Sequence, residues 1–375
     1  GVQTCALPIC RDRRRVEGLL RAPARRRTEV SVTAEGTVSD VISSRARWAT
    51  VLGDCRDGLR SMPDGCAQTC VTSPPYFGLR DYGCDGQIGL EPSPSEYVSA
   101  MVDVMREVRR VLRDDGTLWL NVGDSYAADR GGTAMPAETI AGGKRGHGDA
   151  SARRGRGSTH PHRNARAIGK KHKDLIGIPW RLAFALQDDG WYLRSDIIWS
   201  KPNPMPESVT DRPTRAHEYV FLLTKRARYF YDAGAIREQG TNRHPGNATH
   251  KQTALGGTKT GLCLIGASET RNARDVWTIT PEPFAEAHFA TMPPELARRC
   301  VRAGSRRSDV VLDPFMGAHT TAIIALQEGR RSLGCELNPD YLAIGQRRLA
   351  DFNADTTSSI AIASEDNGPL FARRA

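Results

Sequence analysis

The sequence predicts an α/β protein: a seven-stranded, mostly parallel sheet with helices on both faces. Three observations carry this expectation. Seven short runs of β-branched and aliphatic residues are interleaved with segments whose apolar residues recur at helical spacing. Two unusual motifs, one rich in proline and one containing glycine, each begin where such a run ends, which is where open α/β sheets hold their ligands. Finally, 39% of the 375 residues are hydrophobic, enough for one large core with insertions rather than two equal domains.

The first expected strand is 48–53, followed by Asp54. The second, 69–72, ends at Ser73-Pro74-Pro75-Tyr76, because proline has no N–H to offer a ladder. A helix follows. Ser93 suits the N-cap, Pro94 the first turn and Glu96 a capping box, and Tyr97, Met101, Met105, Val108 and Leu112 fall along one face. Asp114-Asp115-Gly116 should end that helix before a buried strand at 117–122. Patterning disappears across 127–173, where Gly, Arg, Lys and His dominate, so a basic flexible loop is expected. A helix at 179–187 precedes strands 195–199 and 217–223, which are joined by a proline-rich stretch. Residues 237–274 are again polar and Gly-rich. The last elements expected are helix 294–303, strand 309–312, helix 320–327, strand 331–335 and helix 341–351.

The layout is therefore a packed domain over 47–353, interrupted at 127–173 and 233–275 and flanked by tails at 1–46 and 354–375. Residues 1–9 back-translate into a common sequencing-adapter sequence and are expected to be foreign to the protein. The Arg-rich stretch 11–27 is either equally foreign or a disordered arm.

Lys and Arg number 53 against 43 Asp and Glu, a net charge of +10 that favours a polyanionic partner, although a plain basic surface has the same balance. No apolar run approaches a membrane span and no secretory leader is visible, so a cytoplasmic location is expected. The nine cysteines are scattered; Cys66 and Cys70 lack the second pair a zinc site needs, so reduced thiols and no metal are expected.

Thr72-Ser73-Pro74-Pro75-Tyr76 carries the strongest chemical signal. An exocyclic base amine is a poor nucleophile because its lone pair is delocalised into the ring. Acceptors aimed at its N–H groups draw the nitrogen toward a tetrahedral shape. The Ser73 hydroxyl and the Pro74 carbonyl suit that task, the prolines hold them rigid, and the Tyr76 ring can stack on an extruded base. An ordinary proline turn at a strand end is the bland alternative. In Asp313-Pro314-Phe315-Met316-Gly317-Ala318-His319-Thr320-Thr321, a strand end, a tight turn and a helix start form a nucleotide-type cradle. Glu336, at the end of the next strand, is placed to hold ribose hydroxyls.

Together these motifs resemble the N4-cytosine/N6-adenine DNA methyltransferases, in the order that places the catalytic motif before the cofactor motif. Residues 73–76 match the family's [DNS]-P-P-[YFW] tetrapeptide, and 313–321 resemble its D-P-F-x-G-S-G-T-T turn. Segment 288–296, with Thr291, is similar to the stretch lining the methionine pocket, and Asp54 matches an acidic position near the adenine. The resemblance spans 48–351 outside the two insertions. It implies a Rossmann-like methyltransferase fold, S-adenosylmethionine as cofactor and double-stranded DNA as partner. It implies Ser73, Pro74, Pro75 and Tyr76 as catalytic residues, and Asp54, Thr291, Asp313, Phe315, Gly317, Thr320 and Glu336 as cofactor-binding residues. In this family Ser in the tetrapeptide is commoner among N4-cytosine enzymes and Asp among N6-adenine enzymes. Cytosine N4 is thus the expected target and adenine N6 the alternative. The 127–173 loop would grip phosphates, and 233–275 occupies the usual place of target recognition. A cognate restriction endonuclease, an orphan or phage role, and a monomer or dimer all remain open.

One departure stands out. Where the family has Gly-Ser-Gly, this chain has Gly317-Ala318-His319. A Cβ at the third position strains a positive φ, so the turn should open or His319 should cap the pocket. That leaves room for a non-catalytic DNA-binding relative. Methyltransferases acting on RNA or on a protein amide are the other rivals, although the latter use Asn where this chain has Ser73.

Overall fold

The computed structural model describes residues 31–33, 36–128, 165, 168–240, 270–282 and 292–365, the first three and those beyond 353 as backbone only. In chain order the elements are β1 (Ser31–Thr33), α1 (Val38–Ile42), β2 (Trp48–Leu52), α2 (Cys55–Arg60), β3 (Ala67–Thr72), α3 (Pro94–Val111), β4 (Leu112–Val122), α4 (Ile178–Asp188), β5 (Tyr192–Ser200), β6 (His217–Thr224), β7 (Glu238–Gln239), β8 (Thr270–Arg271), β9 (Val276–Thr278), α5 (Pro294–Gly304), β10 (Val310–Asp313), α6 (Thr320–Gln327), β11 (Arg331–Glu336) and α7 (Pro339–Glu365).

Nine strands form one sheet in the order β1-β2-β11-β10-β3-β4-β6-β5-β9. The seven strands read from the sequence are its interior. β1 and β9, three residues each, are the edges, too short to show a period of two. The run β2-β11-β10-β3-β4 is parallel, and β6 is antiparallel to both of its neighbours. This is the methyltransferase-like α/β architecture that the motifs imply.

Alternation along the strands feeds two cores. Leu118, Leu120 and Val122 of β4 face one side, with Leu59 of α2, the Tyr97-Met101-Met105-Val108 stripe of α3 and Leu182 of α4. Trp119 faces the other side, where Leu296 and Val301 of α5 and Ile324 of α6 pack. The α3 stripe is as its spacing predicts, and Ser93 caps the helix by accepting the Glu96 N–H. Leu112 is not helical, however. It starts β4, and the ladder against β3 shifts register between Ala67 and Thr69, so Asp114-Asp115-Gly116 sits in an irregular stretch of strand rather than in a helix stop.

Two further boundaries differ from the sequence reading. β1 and α1 lie within the stretch assigned to the N-terminal tail. Thr37 caps α1 in a reciprocal box with Asp40, and Val41 is fully buried, so the packed domain starts by Ser31 rather than at 47. At the other end α7 runs to Glu365, beyond the expected stop at 351. Most of the 127–173 loop and of the 233–275 insertion lies outside the described residues. The ends of the second insertion pair as β7 and β8.

Candidate active site

β3 and β10 are adjacent and parallel, with Leu312 paired to Cys70, so the two motifs that follow them emerge side by side. A cavity of about 260 Å³ opens there. All four expected catalytic residues, Ser73, Pro74, Pro75 and Tyr76, line it, as do Asp54, Asp313, Phe315, Gly317, Thr320 and Glu336 of the expected cofactor set. Thr291 lies outside the described residues; its neighbour Met292 lines the cavity.

On the β10 side, the buried Asp313 carboxylate takes hydrogen bonds from Thr72 Oγ1 at 2.7 Å and from the Phe315 N–H at 3.0 Å, which ties the two motifs together. Glu336 accepts from the Gly317 N–H at 2.7 Å and the Asn338 N–H at 2.8 Å. Burial pushes Asp313 up to about 6 and Glu336 up to about 7. Among the described residues no Lys or Arg pairs with either acid. Two buried acids without a protein cation, above a glycine turn and beside an aromatic ring, suit a ligand that carries positive charge and hydroxyl donors. Asp54 contributes less than its position suggests. It caps α2, accepting the Arg56 N–H at 2.8 Å, and its oxygens are held by the Arg56 guanidinium.

His319 neither opens the turn nor caps the cavity. It keeps the left-handed conformation that glycine would take, with φ 63°, and its ring turns inward and is fully buried. Nδ1 lies 3.0 Å from the Gly317 carbonyl and Nε2 lies 3.0 Å from Thr50 Oγ1. A carbonyl can only accept, so the proton sits on Nδ1 and Thr50 donates to Nε2. Burial lowers the ring's pKa to about 4, keeping it neutral. The ring's space comes from Gly345 of α7, where a Cβ would fall 1.8 Å from Nδ1.

On the β3 side, the Tyr76 ring lies against the backbone of Gly123, where a Cβ would fall 2.7 Å from the ring. Its hydroxyl reaches Glu218 Oε2 at 2.5 Å, and Asn121 Nδ2 reaches the hydroxyl at 2.9 Å. Lys201 binds the other Glu218 oxygen and lies 4.4 Å from the centre of the Trp199 ring. Asn121, Lys201 and Glu218 all line the cavity, and sequence reasoning missed all three. A signal existed for one of them: Asn121 is polar in the otherwise apolar end of β4. Burial and the Glu218 charge push the Tyr76 hydroxyl well above its ordinary pKa, so it stays protonated.

Among the described residues, no three His, Cys, Asp or Glu side chains are grouped to hold a metal, and no helix is long and apolar enough to cross a membrane. The described cysteines are free; burial pushes Cys55 up to about 12 and raises Cys66, Cys70, Cys84, Cys300 and Cys335, so none offers a thiolate.

The chain matches a family model described as DNA methylase over residues 67–347. It is 46% identical over 312 residues to the Type II methyltransferase M.Cfr9I of Citrobacter freundii, covering 83% of this chain and 90% of that protein. It is 43% identical over 299 residues to the Type II methyltransferase M.SmaI of Serratia marcescens, covering 80% and 89%. Among solved structures, the PvuII DNA methyltransferase (cytosine-N4-specific) shares the fold, with a TM-score of 0.52 over 80% of this chain and 86% of that one at 17% identity.

Proposed function

The chain belongs to the DNA methylase family, and we propose that it transfers the methyl group of S-adenosylmethionine to the N4 amine of a cytosine flipped out of duplex DNA. The observation that carries this reading is the placement of Ser73 and Pro74 in one cavity with Phe315, Gly317 and Glu336. A neutral serine at the first position of the tetrapeptide supports cytosine N4 over adenine N6.

Phe315, Gly317 and Glu336 would hold the cofactor's nucleoside part, with Glu336 taking its ribose hydroxyls, and Asp313 would face its positive amino group. When bound, S-adenosylmethionine supplies an already activated methyl group, so the protein needs no covalent intermediate and no cysteine nucleophile. What the residues contribute is orientation. The Ser73 oxygen and the Pro74 carbonyl accept from the amine N–H groups, and Tyr76 supplies a ring face for the base. The rigid Pro74-Pro75 step preorganises both acceptors. The Type II names of the relatives support a role in a restriction–modification system beside a cognate endonuclease.

Sequencing DNA from cells that express this chain, with modified-base detection, tests the reading. N4-methylcytosine in one fixed context is the expected result. N6-methyladenine would overturn the base assignment, and unmodified DNA would overturn the reading itself.

A further inference from the structure

Side chains from separate segments converge behind Ser73. Ser73 Oγ donates to the Tyr76 hydroxyl at 3.3 Å, and Tyr76 donates to Glu218 Oε2. Asn121 Nδ2 donates toward all three oxygens: Ser73 at 3.4 Å, Tyr76 at 2.9 Å and Glu218 at 3.1 Å. That aim leaves Asn121 Oδ1 buried with no hydrogen-bond partner, so the amide gives up its own acceptor to present its donors here. Lys201 donates to the remaining Glu218 oxygen.

The chain of hydrogen bonds has only one consistent direction. An ionised carboxylate accepts and never donates. Tyr76 must therefore point its proton at Glu218, and Ser73 must point its proton at Tyr76. The Asn121 amide, whose two N–H protons are shared among these oxygens and which only donates to them, reinforces that order. What Ser73 has left for the cavity is a lone pair.

We infer that Glu218 sets the polarity of this chain, so that Ser73 accepts from the substrate amine, and that Glu218 is the final acceptor of the proton released on methylation. The inference rests on the proposed role of Ser73 and extends it to three residues outside the tetrapeptide: Glu218, Asn121 and Lys201. As the amine nitrogen bonds to the methyl carbon, the electron pair of the carbon–sulfur bond stays with sulfur and the nitrogen becomes positive. Its N–H electron pair then returns to nitrogen while the proton moves to Ser73 Oγ. The serine proton moves to Tyr76 and the tyrosine proton to Glu218 Oε2. Both hydroxyls are restored, and a neutral glutamic acid is left beside Lys201. A protonated aromatic amine is a strong acid, so transfer to a carboxylate runs downhill. Glu218 and Lys201 act through others, so they are positioning residues.

The same polarity selects the substrate. An oxo base at the target position presents an acceptor where cytosine presents a donor, and two lone pairs then face each other.

The test uses the full-length protein and duplexes built on the mapped site, with cytosine or uracil at the target position. Base-pairing differences between the duplexes are common to all forms of the protein and cancel when forms are compared. In Glu218→Gln the carboxamide oxygen stays on Lys201 and its NH2 group faces Tyr76 and Asn121, whose amide must turn its unpartnered Oδ1 toward it, which reverses the chain. Its cytosine-over-uracil binding preference should shift by about tenfold or more toward uracil, and kcat should fall about 100-fold with KM for DNA little changed. Tyr76→Phe keeps the ring and cuts the chain; it should lose the preference without inverting it, with a similar fall in kcat. Thermal melting confirms that each variant is folded. A folded variant of either kind with the wild-type base preference and kcat overturns the inference while the methylation reading stands. Absence of methylation by the wild type overturns the underlying reading instead.

Discussion

The two sides of the crevice differ in how their acids are balanced. On the β3 side, the acid Glu218 is matched by Lys201, and its remaining oxygen is filled by Tyr76 and Asn121. On the β10 side, Asp313 and Glu336 are buried with backbone and hydroxyl donors but without a cation among the described residues. Burying an acid without a counter-charge is unfavourable, and the raised values of both groups record it. The β3 side is thus electrostatically complete within the protein, and under the proposed function the β10 side would be completed by its cationic ligand. A site divided in this way has a natural order: it gains most from binding the cation first.

Crossed substitutions should separate the two sides by the largest margin. Ser73→Ala should lower methyl transfer about 1,000-fold and leave S-adenosylmethionine binding, read by calorimetry, close to that of the wild type. Glu336→Ala should do the reverse, weakening cofactor binding about 100-fold through the loss of hydrogen bonds to a charged group. Loss of cofactor binding in Ser73→Ala would show that the two sides are one energetic unit.

His319 and Gly345 tie the β10 side to the stability of the fold. Gly345→Ala places a Cβ 1.8 Å from the His319 ring and should destabilise the fold by about 2–3 kcal/mol in denaturant titrations. His319→Gly relieves a left-handed residue worth about 1 kcal/mol but leaves a void beside α7, so the net change should be a loss. The double variant fills part of that void and should be more stable than the sum of the single changes predicts. Simple additivity would mean that the two positions do not share one space.

Much of this was legible in the sequence, and what was not has a physical reason. The α3 stripe and the Ser93 cap were visible because a helix writes its contacts at short spacing. Both motifs were visible because a strand end, a turn and a helix start are contiguous in the chain. Edge strands β1 and β9 were missed because three residues carry no period, although the Thr37–Asp40 capping box beside β1 was there to read. Glu218 was missed because it reaches Tyr76 from β6, 142 residues further along, and Lys201, just past the end of β5, joins the group only through Glu218, so nothing local marks either. His319 was recognised as a departure, but its fate depended on a glycine 26 positions further along, in a helix that the sequence alone does not dock.

The smallest expected effect tests the charge argument directly. Burial holds Asp313 at about 6 and Glu336 at about 7, above the unfolded values of 3.8 and 4.5. Groups shifted in this direction contribute stability that is fully present below the unfolded values and is lost as pH rises through 6 and then 7. The free protein should therefore lose stability across that window. His319 works the other way: its value is lowered to about 4 from 6.5, so its contribution is present above 6.5 and lost as pH falls toward 4. A cationic ligand prefers the ionised acids, so S-adenosylmethionine affinity should rise with pH and level off above about 7, falling by up to about tenfold per pH unit below that for each acid that must ionise. Calorimetric Kd values from about pH 5 to 8 check this, and Glu336→Gln should flatten the upper part of the curve. If the wild-type Kd is independent of pH, binding is not linked to the ionisation of Asp313 and Glu336, and the ligand does not supply the counter-charge that the contrast with Glu218–Lys201 requires.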